Sequence, residues 1–171
     1  MPPIVDADAL VVLGGSMSCQ DDAEAPWLAP TRQLISRTVR AGTPFLGICL
    51  GHQLATVALG GQVCTSDHFC LGAAEMHLTP EGKKDPLLSV YDGHRGIHFN
   101  NDVAVVLPED AVLLARDPTG QIEAVRFAER AWGVQFHPEC TPEIFDAWTI
   151  GHGEKEWQQR LPWSEAVTVA E

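Results

Sequence analysis

Positive charge is scarce in this chain. Its 171 residues include 11 Lys and Arg against 23 Asp and Glu, which gives a formal net charge of −12. Because phosphate backbones and anionic bilayers attract basic surfaces, so acidic a chain is a poor candidate for binding nucleic acid or a membrane surface. No apolar run approaches the roughly 18 residues of a membrane span, and no basic start precedes an apolar core. These absences argue against a membrane-spanning or secreted protein.

Paired cysteines are lacking as well. The five cysteines are odd in number, scattered, and without any C-x-x-C pair: Cys19, Cys49, Cys64, Cys70 and Cys140. Neither a metal site nor a disulfide framework is indicated, and a reducing cytoplasm is the simplest compartment for such a chain. The G-x-x-x-x-G-K-[ST] phosphate loop of nucleotide-binding enzymes is also absent. We therefore expect chemistry from side chains alone, with no cofactor and no metal.

The first half of the chain alternates strand and helix patterns. Two short apolar runs, Ala9 to Leu13 and Pro44 to Ile48, are typical of strands buried on both faces of a parallel sheet. Helical patterns follow them, from Pro26 to about Ala41 and from Leu50 to about Leu59. No repeat or linker divides residues 1–171. The sequence thus predicts one α/β domain with a mostly parallel sheet.

The second half has short strands separated by turns. They are predicted at Ala74–Thr79, Gly96–Phe99, Val112–Arg116, Ile122–Phe127 and Trp132–Phe136. This succession predicts a mixed, antiparallel second half of the sheet. A last helix should begin at Pro142 and bury Ile144, Phe145 and Trp148. Residues 158–171 lack a clear pattern and are expected to fray.

A turn between the second strand and the second helix holds the first chemical signal. Gly47, Cys49 and Gly51 form a G-x-C-x-G pattern that resembles a nucleophile elbow. Glycines are needed on both sides of the cysteine because strand and helix backbones nearly touch there. The elbow places Cys49 at a helix N-terminus, which favours its thiolate, and aims the N–H of Leu50 at an oxyanion. The alternative is a buried, inert thiol.

The second signal is an apolar strand that ends in His137-Pro138-Glu139. Residues two apart in extended backbone point to the same side, so Glu139 can hydrogen-bond one nitrogen of His137. The other nitrogen is then free to take a proton from Cys49, which makes a nucleophile, a base and an orienting carboxylate. The other six histidines are predicted to be ordinary surface residues: His52, His68, His77, His94, His98 and His152.

Together these stretches resemble the class I glutamine amidotransferases, from about Asp8 to Trp157. The resemblance is carried by Gly14-Gly15-Ser16-Met17, the segment Asp21–Leu28, the segment Gly47–Gln53 and the segment Gly133–Glu139. The block from Gly14 to Leu28 is most similar to a stand-alone subgroup that resembles the glutaminase half of GMP synthase. The resemblance implies a doubly wound, flavodoxin-like amidotransferase fold and an enzyme that hydrolyses the side-chain amide of glutamine.

The resemblance also implies the members of the site. Its catalytic residues would be Cys49 as nucleophile, His137 as general base and Glu139 as orienter, with Gly15 and Leu50 as the oxyanion hole. Its substrate-binding residues would be Gln53, Asn100, Asn101 and Asp102, the last three lying where many relatives have His-Gly-Asp. A γ-glutamyl thioester would form on the cysteine, and the released ammonia would pass to a synthetase on another chain.

Two other functions stay open at this stage. The same acyl-enzyme could hydrolyse a γ-glutamyl bond in a peptide or small amide without ammonia transfer. The chain could also be an inactive, truncated binding or scaffold domain. The ammonia acceptor, the partner synthetase and the oligomeric state, including a homo-oligomer, do not follow from the sequence.

The last expectation concerns the start of the chain. In the family, a βαβ unit of roughly forty residues normally precedes the strand that matches Ala9 to Leu13. Only eight residues precede Ala9 here. We therefore expect an apolar edge strand and weaker support beneath Gly14 and Gly15. An upstream start codon, a covering chain and an inactivating truncation are the three explanations, of which the first agrees best with the intact motifs.

Overall fold

A computed structural model describes residues 7–149, apart from the side chains of His68 and Thr149. The strands are β1 (Leu10–Val12), β2 (Phe45–Ile48), β3 (Gln62–Glu75), β4 (His77–Leu78), β5 (Arg95–Val106), β6 (Val112–Arg116), β7 (Ile122–Ala128) and β8 (Ala131–Val134). The helices are α1 (Leu28–Arg40), α2 (Leu50–Ala58) and α3 (Pro142–Thr149), with 3-10 turns at Gly82–Lys84 and Ser89–Tyr91. The predicted fraying of 158–171 and the position of His152 lie outside the described residues, and the single domain stays a prediction.

The strands form one six-stranded sheet and one two-stranded sheet. The larger sheet has the order β1-β2-β8-β7-β6-β4, in which β1, β2 and β8 run parallel and the remaining neighbours pair antiparallel. The predicted α/β fold, with parallel strands in the first half and antiparallel strands in the second, is confirmed. A helical crossover lets β1 and β2 run parallel, whereas the short turn between β7 and β8 requires an antiparallel pair.

Helix α1 begins two residues later than predicted. Hydrogen-bonded turns occupy the residues before it, with the Leu28 N–H donating to the carbonyl of Ala25 at 2.9 Å. Pro26 therefore lies in a turn and not in the first helical turn. The predicted stop is confirmed, because α1 ends at Arg40 and Gly42 follows with φ of +72°. A positive φ of this kind ends a helix at little cost only when the residue is glycine.

The predicted strand Ala74–Thr79 is wrong in its bounds. The structure divides this segment at Met76 between the end of β3 and the short β4. Strand β3 begins at Gln62 and pairs with β5, which also continues past the predicted Phe99, and the register of the pair shifts between Thr65 and Cys70. Much of β3 is exposed and polar, so it has no apolar alternation from which a strand could be predicted.

The other predicted elements are found. The strands predicted at Val112–Arg116, Ile122–Phe127 and Trp132–Phe136 correspond to β6, β7 and β8. Helix α3 begins at Pro142 as predicted and buries Phe145, while Ile144 and Trp148 are half-buried. None of the helices within residues 7–149 is long and apolar enough to cross a membrane.

Close backbone contact holds β1, β2 and α2 together. A Cβ atom at Gly51 would overlap the carbonyl oxygen of Val12 in β1, and one at Gly47 would overlap the backbone of Gly51. The predicted need for glycine on both sides of Cys49 is thus confirmed. Strand β1 pairs only with β2 among the described residues, and Val11 is 54% exposed. That a further unit covers this edge stays a prediction.

Candidate active site

Cys49 occupies a strained turn between β2 and α2. Its φ of 50° is the only positive φ of a non-glycine residue within the described part of the chain. The Cys49 N–H donates to the carbonyl of Val134 at 2.8 Å, and its carbonyl accepts from the N–H of Gln53 at 3.1 Å. Strained backbone of this kind persists where surrounding contacts hold it and is concentrated at functional sites. The side chain is held in one place, facing the carbonyl of Phe99, whose oxygen is 4.0 Å from the sulfur.

His137 and Glu139 follow β8 and reach the same place. The His137 Nδ1 lies 2.8 Å from Oε1 of Glu139. The His137 N–H donates to the carbonyl of Ile97 at 2.7 Å, which attaches this segment to β5. A Cβ atom added to Gly14 would lie 2.9 Å from His137 Cε1 and 3.6 Å from Cys49 Cβ. Gly14 therefore borders both His137 and Cys49. The structure brings together the three residues that the sequence suggested as a triad.

Gly15 and Leu50 also border the cysteine. The Leu50 N–H lies at the start of α2 and forms a hydrogen bond with the Cys49 sulfur that lowers its pKa. A Cβ atom on Gly15 would meet Leu50 Cδ2 at 2.8 Å and Met17 Sδ at 2.9 Å. Both backbones are therefore close to the cysteine, where an oxyanion would form on an attacked carbonyl.

A polar cavity of about 400 Å³ opens on one side of Cys49. The four predicted substrate-binding residues all line it: Gln53, Asn100, Asn101 and Asp102. Two amides, Nε2 of Gln53 and Nδ2 of Asn100, donate to the Asp102 carbonyl at 2.8 and 3.2 Å. The Asp102 carboxylate accepts from the Thr65 hydroxyl at 2.9 Å, so strand β3 contributes to this wall. The Gln53 side chain thus holds the backbone of Asp102 in this wall in place. Asn101 is exposed.

A second cavity, of about 440 Å³, opens on the other side of Cys49. Leu13, Phe99, Ile144 and Trp148 form its apolar walls. The Trp148 ring packs edge-on against His137 at 4.7 Å and against Phe99 at 5.9 Å between ring centroids. His137 and Glu139 line this cavity but not the polar one, whereas Cys49 lines both. Cys49 therefore lies where the polar and the apolar cavities meet.

The sequence of this chain matches a known protein family. The sequence model of the family described as glutamine amidotransferase class-I matches residues 3–151. The chain belongs to the class I glutamine amidotransferases. The family resemblance inferred from the sequence motifs is confirmed.

Named relatives of this chain include an amidotransferase-like protein and a subunit of a GMP synthase. The glutamine amidotransferase-like protein YfeJ of Salmonella typhimurium is 32% identical over 91% of this chain and 66% of its own length. One subunit of the glutamine-hydrolyzing GMP synthase of Halobacterium salinarum is 31% identical over 81% of this chain and 69% of its own length. The chain spans slightly less than two thirds of YfeJ.

Solved structures share the fold of this chain. The structure of SMU.1228c superposes with a TM-score of 0.84 at 28% identity, covering 94% of this chain and 71% of that one. A glutamine amidotransferase from Thermotoga maritima superposes with a TM-score of 0.79 over 99% of this chain and 73% of that one. At 23% identity, the second likeness concerns the fold alone.

The pKa of Cys49 favours the thiol form near neutral pH. Burial raises the pKa of Cys49 to about 12, although the hydrogen bond from the Leu50 N–H lowers it. The helix N-terminus acts in the predicted direction, because the Leu50 N–H lowers this pKa, but removal of the thiol from water outweighs it. Attack by the sulfur requires that its proton first move to a nearby base.

The pKa of the Glu139 carboxyl group is shifted in the direction that favours its charged form. Burial by itself would raise the pKa of Glu139, but its hydrogen bond to His137 and the charge of that ring lower it, and the net pKa lies below its ordinary value. Glu139 is therefore ionised at neutral pH, and the Nδ1 that faces it carries the ring proton. The other ring nitrogen of His137 is left able to accept a proton.

Among residues 7–149, no group of three or more potential ligands is placed to hold a metal ion.

Two histidines predicted at the surface are buried instead. His52 is fully buried and stacks on Phe127, and His98 is 1% exposed with its Nε2 3.4 Å from a carboxylate oxygen of Glu123. Burial lowers the pKa of each histidine to about 4 and raises that of Glu123 to about 9, so near neutral pH all three are uncharged. The sequence gives no signal for the burial of His98, because the apolar alternation of β5 places Ile97 and Phe99 on one face and His98 on the other.

In a Glu123→Gln variant, the free energy of unfolding should fall less than in the wild type as the pH rises from 6.5 to 9. Because the pKa of Glu123 is raised in the folded state, ionisation is harder there than in the unfolded chain, and the free energy of unfolding falls as the pH rises through this window. The lowered pKa values of His52 and His98 act in the opposite direction, but below about pH 6.5. Urea midpoints at the two pH values measure the slope, with the exposed Glu109→Gln as control. Equal slopes in Glu123→Gln and the wild type would show that this carboxyl group is not the cause.

Proposed function

We propose that this chain is a glutaminase that releases ammonia for a synthetase on another chain, with Cys49 as its nucleophile. The observation that carries the proposal is the convergence of Cys49 with the hydrogen-bonded His137 and Glu139 at the junction of two cavities. Such a set can activate a sulfur nucleophile and form an acyl-enzyme. Membership in the class I glutamine amidotransferases makes a glutamine side-chain amide the expected substrate.

Acylation begins with movement of the thiol proton. His137 takes it from Cys49, and the sulfur attacks the amide carbon while the N–H groups of Gly15 and Leu50 stabilise the oxyanion. Glu139 remains ionised and stabilises the imidazolium that forms. His137 then protonates the leaving nitrogen, the C–N bond breaks and ammonia departs. A water molecule, deprotonated by His137, hydrolyses the γ-glutamyl thioester and regenerates the thiol.

The polar cavity suits the other end of glutamine. The free amino acid has an ammonium and a carboxylate, which need polar partners once they leave water. Carboxylate, amide and hydroxyl groups of Asp102, Asn101 and Ser16 line this cavity. We expect the Asp102 carboxylate to attract the ammonium, while the amide of Gln53 holds the Asp102 backbone in place.

The names of two relatives support the proposed transfer to a partner. The related proteins of Methanothermobacter thermautotrophicus and Halobacterium salinarum are each named as one subunit of a glutamine-hydrolyzing GMP synthase, so a separate chain carries the rest of that enzyme's chemistry. No phosphate-loop motif is present in this sequence. We propose that the acceptor reaction takes place on a partner chain, as the subunit names of these two relatives suggest.

Ammonia release from L-glutamine tests the proposal. Purified wild-type chain should produce glutamate and ammonia in equal amounts, and L-asparagine, one methylene shorter, should be a much poorer substrate because its amide cannot reach Cys49 with its head group in the polar cavity. Adding a candidate synthetase with its acceptor should turn free ammonia into aminated product. No turnover of glutamine or of any other γ-glutamyl amide would favour the binding-domain alternative.

A further inference from the structure

We propose that the apolar cavity beside His137 binds the amine portion of N-substituted γ-glutamyl amides, so that this enzyme hydrolyses γ-glutamyl amides of apolar or aromatic amines. The inference rests on the proposed function, because it uses the same cysteine and base. It adds a class of substrate, which the cavity's position, size and lining define.

The position of His137 assigns the cavity to the leaving group. Whatever amine departs must receive its proton from His137, and His137 borders the apolar cavity and not the polar one. With the amino-acid head group among Asn101 and Asp102 and the carbonyl carbon at Cys49, the scissile C–N bond points toward His137. A substituent on that nitrogen therefore extends into the apolar cavity.

The size of the cavity exceeds what ammonia needs. Ammonia is close in size to water, which takes up about 30 Å³ in the liquid. The cavity holds about 440 Å³, which is within the range of about 300–1,000 Å³ that small-molecule sites occupy. A substituent of the size of a benzyl group could be accommodated, whereas ammonia alone would leave most of the space to water.

The lining defines the chemistry of the amine. The rings of Phe99 and Trp148 and the side chains of Leu13 and Ile144 offer apolar contacts, with the two rings 5.9 Å apart and edge-on. Aromatic rings prefer this geometry for further aromatic partners. Among the described residues that line the cavity, Glu139 is the one carboxylate, and none is a lysine or arginine. A carboxylate on the amine should therefore be disfavoured, which excludes ordinary γ-glutamyl amino acids as good substrates.

The reaction is a hydrolysis that needs only water. The Cys49 sulfur forms a bond to the carbonyl carbon of the γ-glutamyl amide, the C–N bond at that carbon breaks, and the thiol proton passes through His137 to the departing amine. Water then adds to the thioester, giving up one proton by way of His137 to the sulfur as the C–S bond breaks. The products are glutamate and the free amine.

The test compares kcat/KM for glutamine, γ-glutamylbenzylamide and γ-glutamylglycine. The benzylamide should be hydrolysed about 10-fold or more faster than the glycine conjugate, since contacts in an apolar pocket discriminate on this scale. Ile144→Trp, which fills the cavity, should lower the benzylamide-to-glutamine ratio about 10-fold. Ala147→Trp, on the exposed side of α3, is the matched control and should leave that ratio unchanged.

The outcomes separate this inference from the proposed function. Turnover of glutamine with benzylamide no better than the glycine conjugate, or an unchanged ratio in Ile144→Trp, would overturn the inference and leave the glutaminase intact. Turnover of benzylamide but not glutamine would support the inference and overturn the glutaminase proposal. Failure of all three substrates would overturn both.

Discussion

Changing Cys49 to alanine should lower ammonia release from glutamine by about 10⁴-fold or more. The thioester cannot form without the sulfur, and alanine has no thiol proton for His137 to accept. Steady-state assays with coupled glutamate detection measure the loss, and a thermal unfolding midpoint checks that the fold is intact. Cys64→Ala is the matched control, because Cys64 is exposed on β3 and borders neither cavity.

Chemical labelling provides an independent measurement of the same prediction. An electrophilic glutamine analogue should modify Cys49 and none of the other cysteines, because Cys49 lies beside His137 at the junction of the two cavities. Cys19 and Cys140 line neither cavity, so a glutamine analogue bound there would not meet their sulfur atoms. Peptide mass mapping locates the label. Modification of Cys19 or Cys140 in place of Cys49 would disprove the assignment of the nucleophile.

Removing the base or its orienting charge should have the second-largest effect. His137→Ala should lower kcat by about 10⁴-fold, and Glu139→Gln by about 10²-fold or more, because the variant keeps the side-chain shape but loses the charge that stabilises the imidazolium. Stopped assays over a range of glutamine concentrations separate kcat from KM. Glu143→Gln, an exposed carboxylate at the start of α3, is the control. A Glu139→Gln enzyme as active as the wild type would reduce the triad to a dyad.

Local sequence patterns were sufficient to predict the catalytic segments. The apolar run before Cys49 and the helical pattern after it predicted a strand and a helix, with glycine at 47 and 51 where their backbones come into contact. The spacing of His137 and Glu139 was sufficient for their hydrogen bond, because neighbours two apart in extended backbone share a side. Interactions within a few residues depend little on tertiary context.

Contacts distant along the chain were not predictable in the same way. Strand β3 is stabilised by its pairing with β5 and has little apolar pattern of its own. His98 and Glu123 lie on different strands, and only the sheet brings them within 3.4 Å and away from water. The thiol state of Cys49 likewise depends on how many atoms surround the sulfur, which no local pattern reveals.

By itself, the sequence determined the family, the order of the main elements of the first half and the identity of the three residues around the nucleophile. Tertiary structure alone decided that Cys49 lies between a polar and an apolar cavity, and that His137 borders only the second. The physical reason is that cavity walls come from segments such as β1, β5 and α3, which are far apart in the chain. Their side chains acquire a common surface only when the sheet and its helices pack.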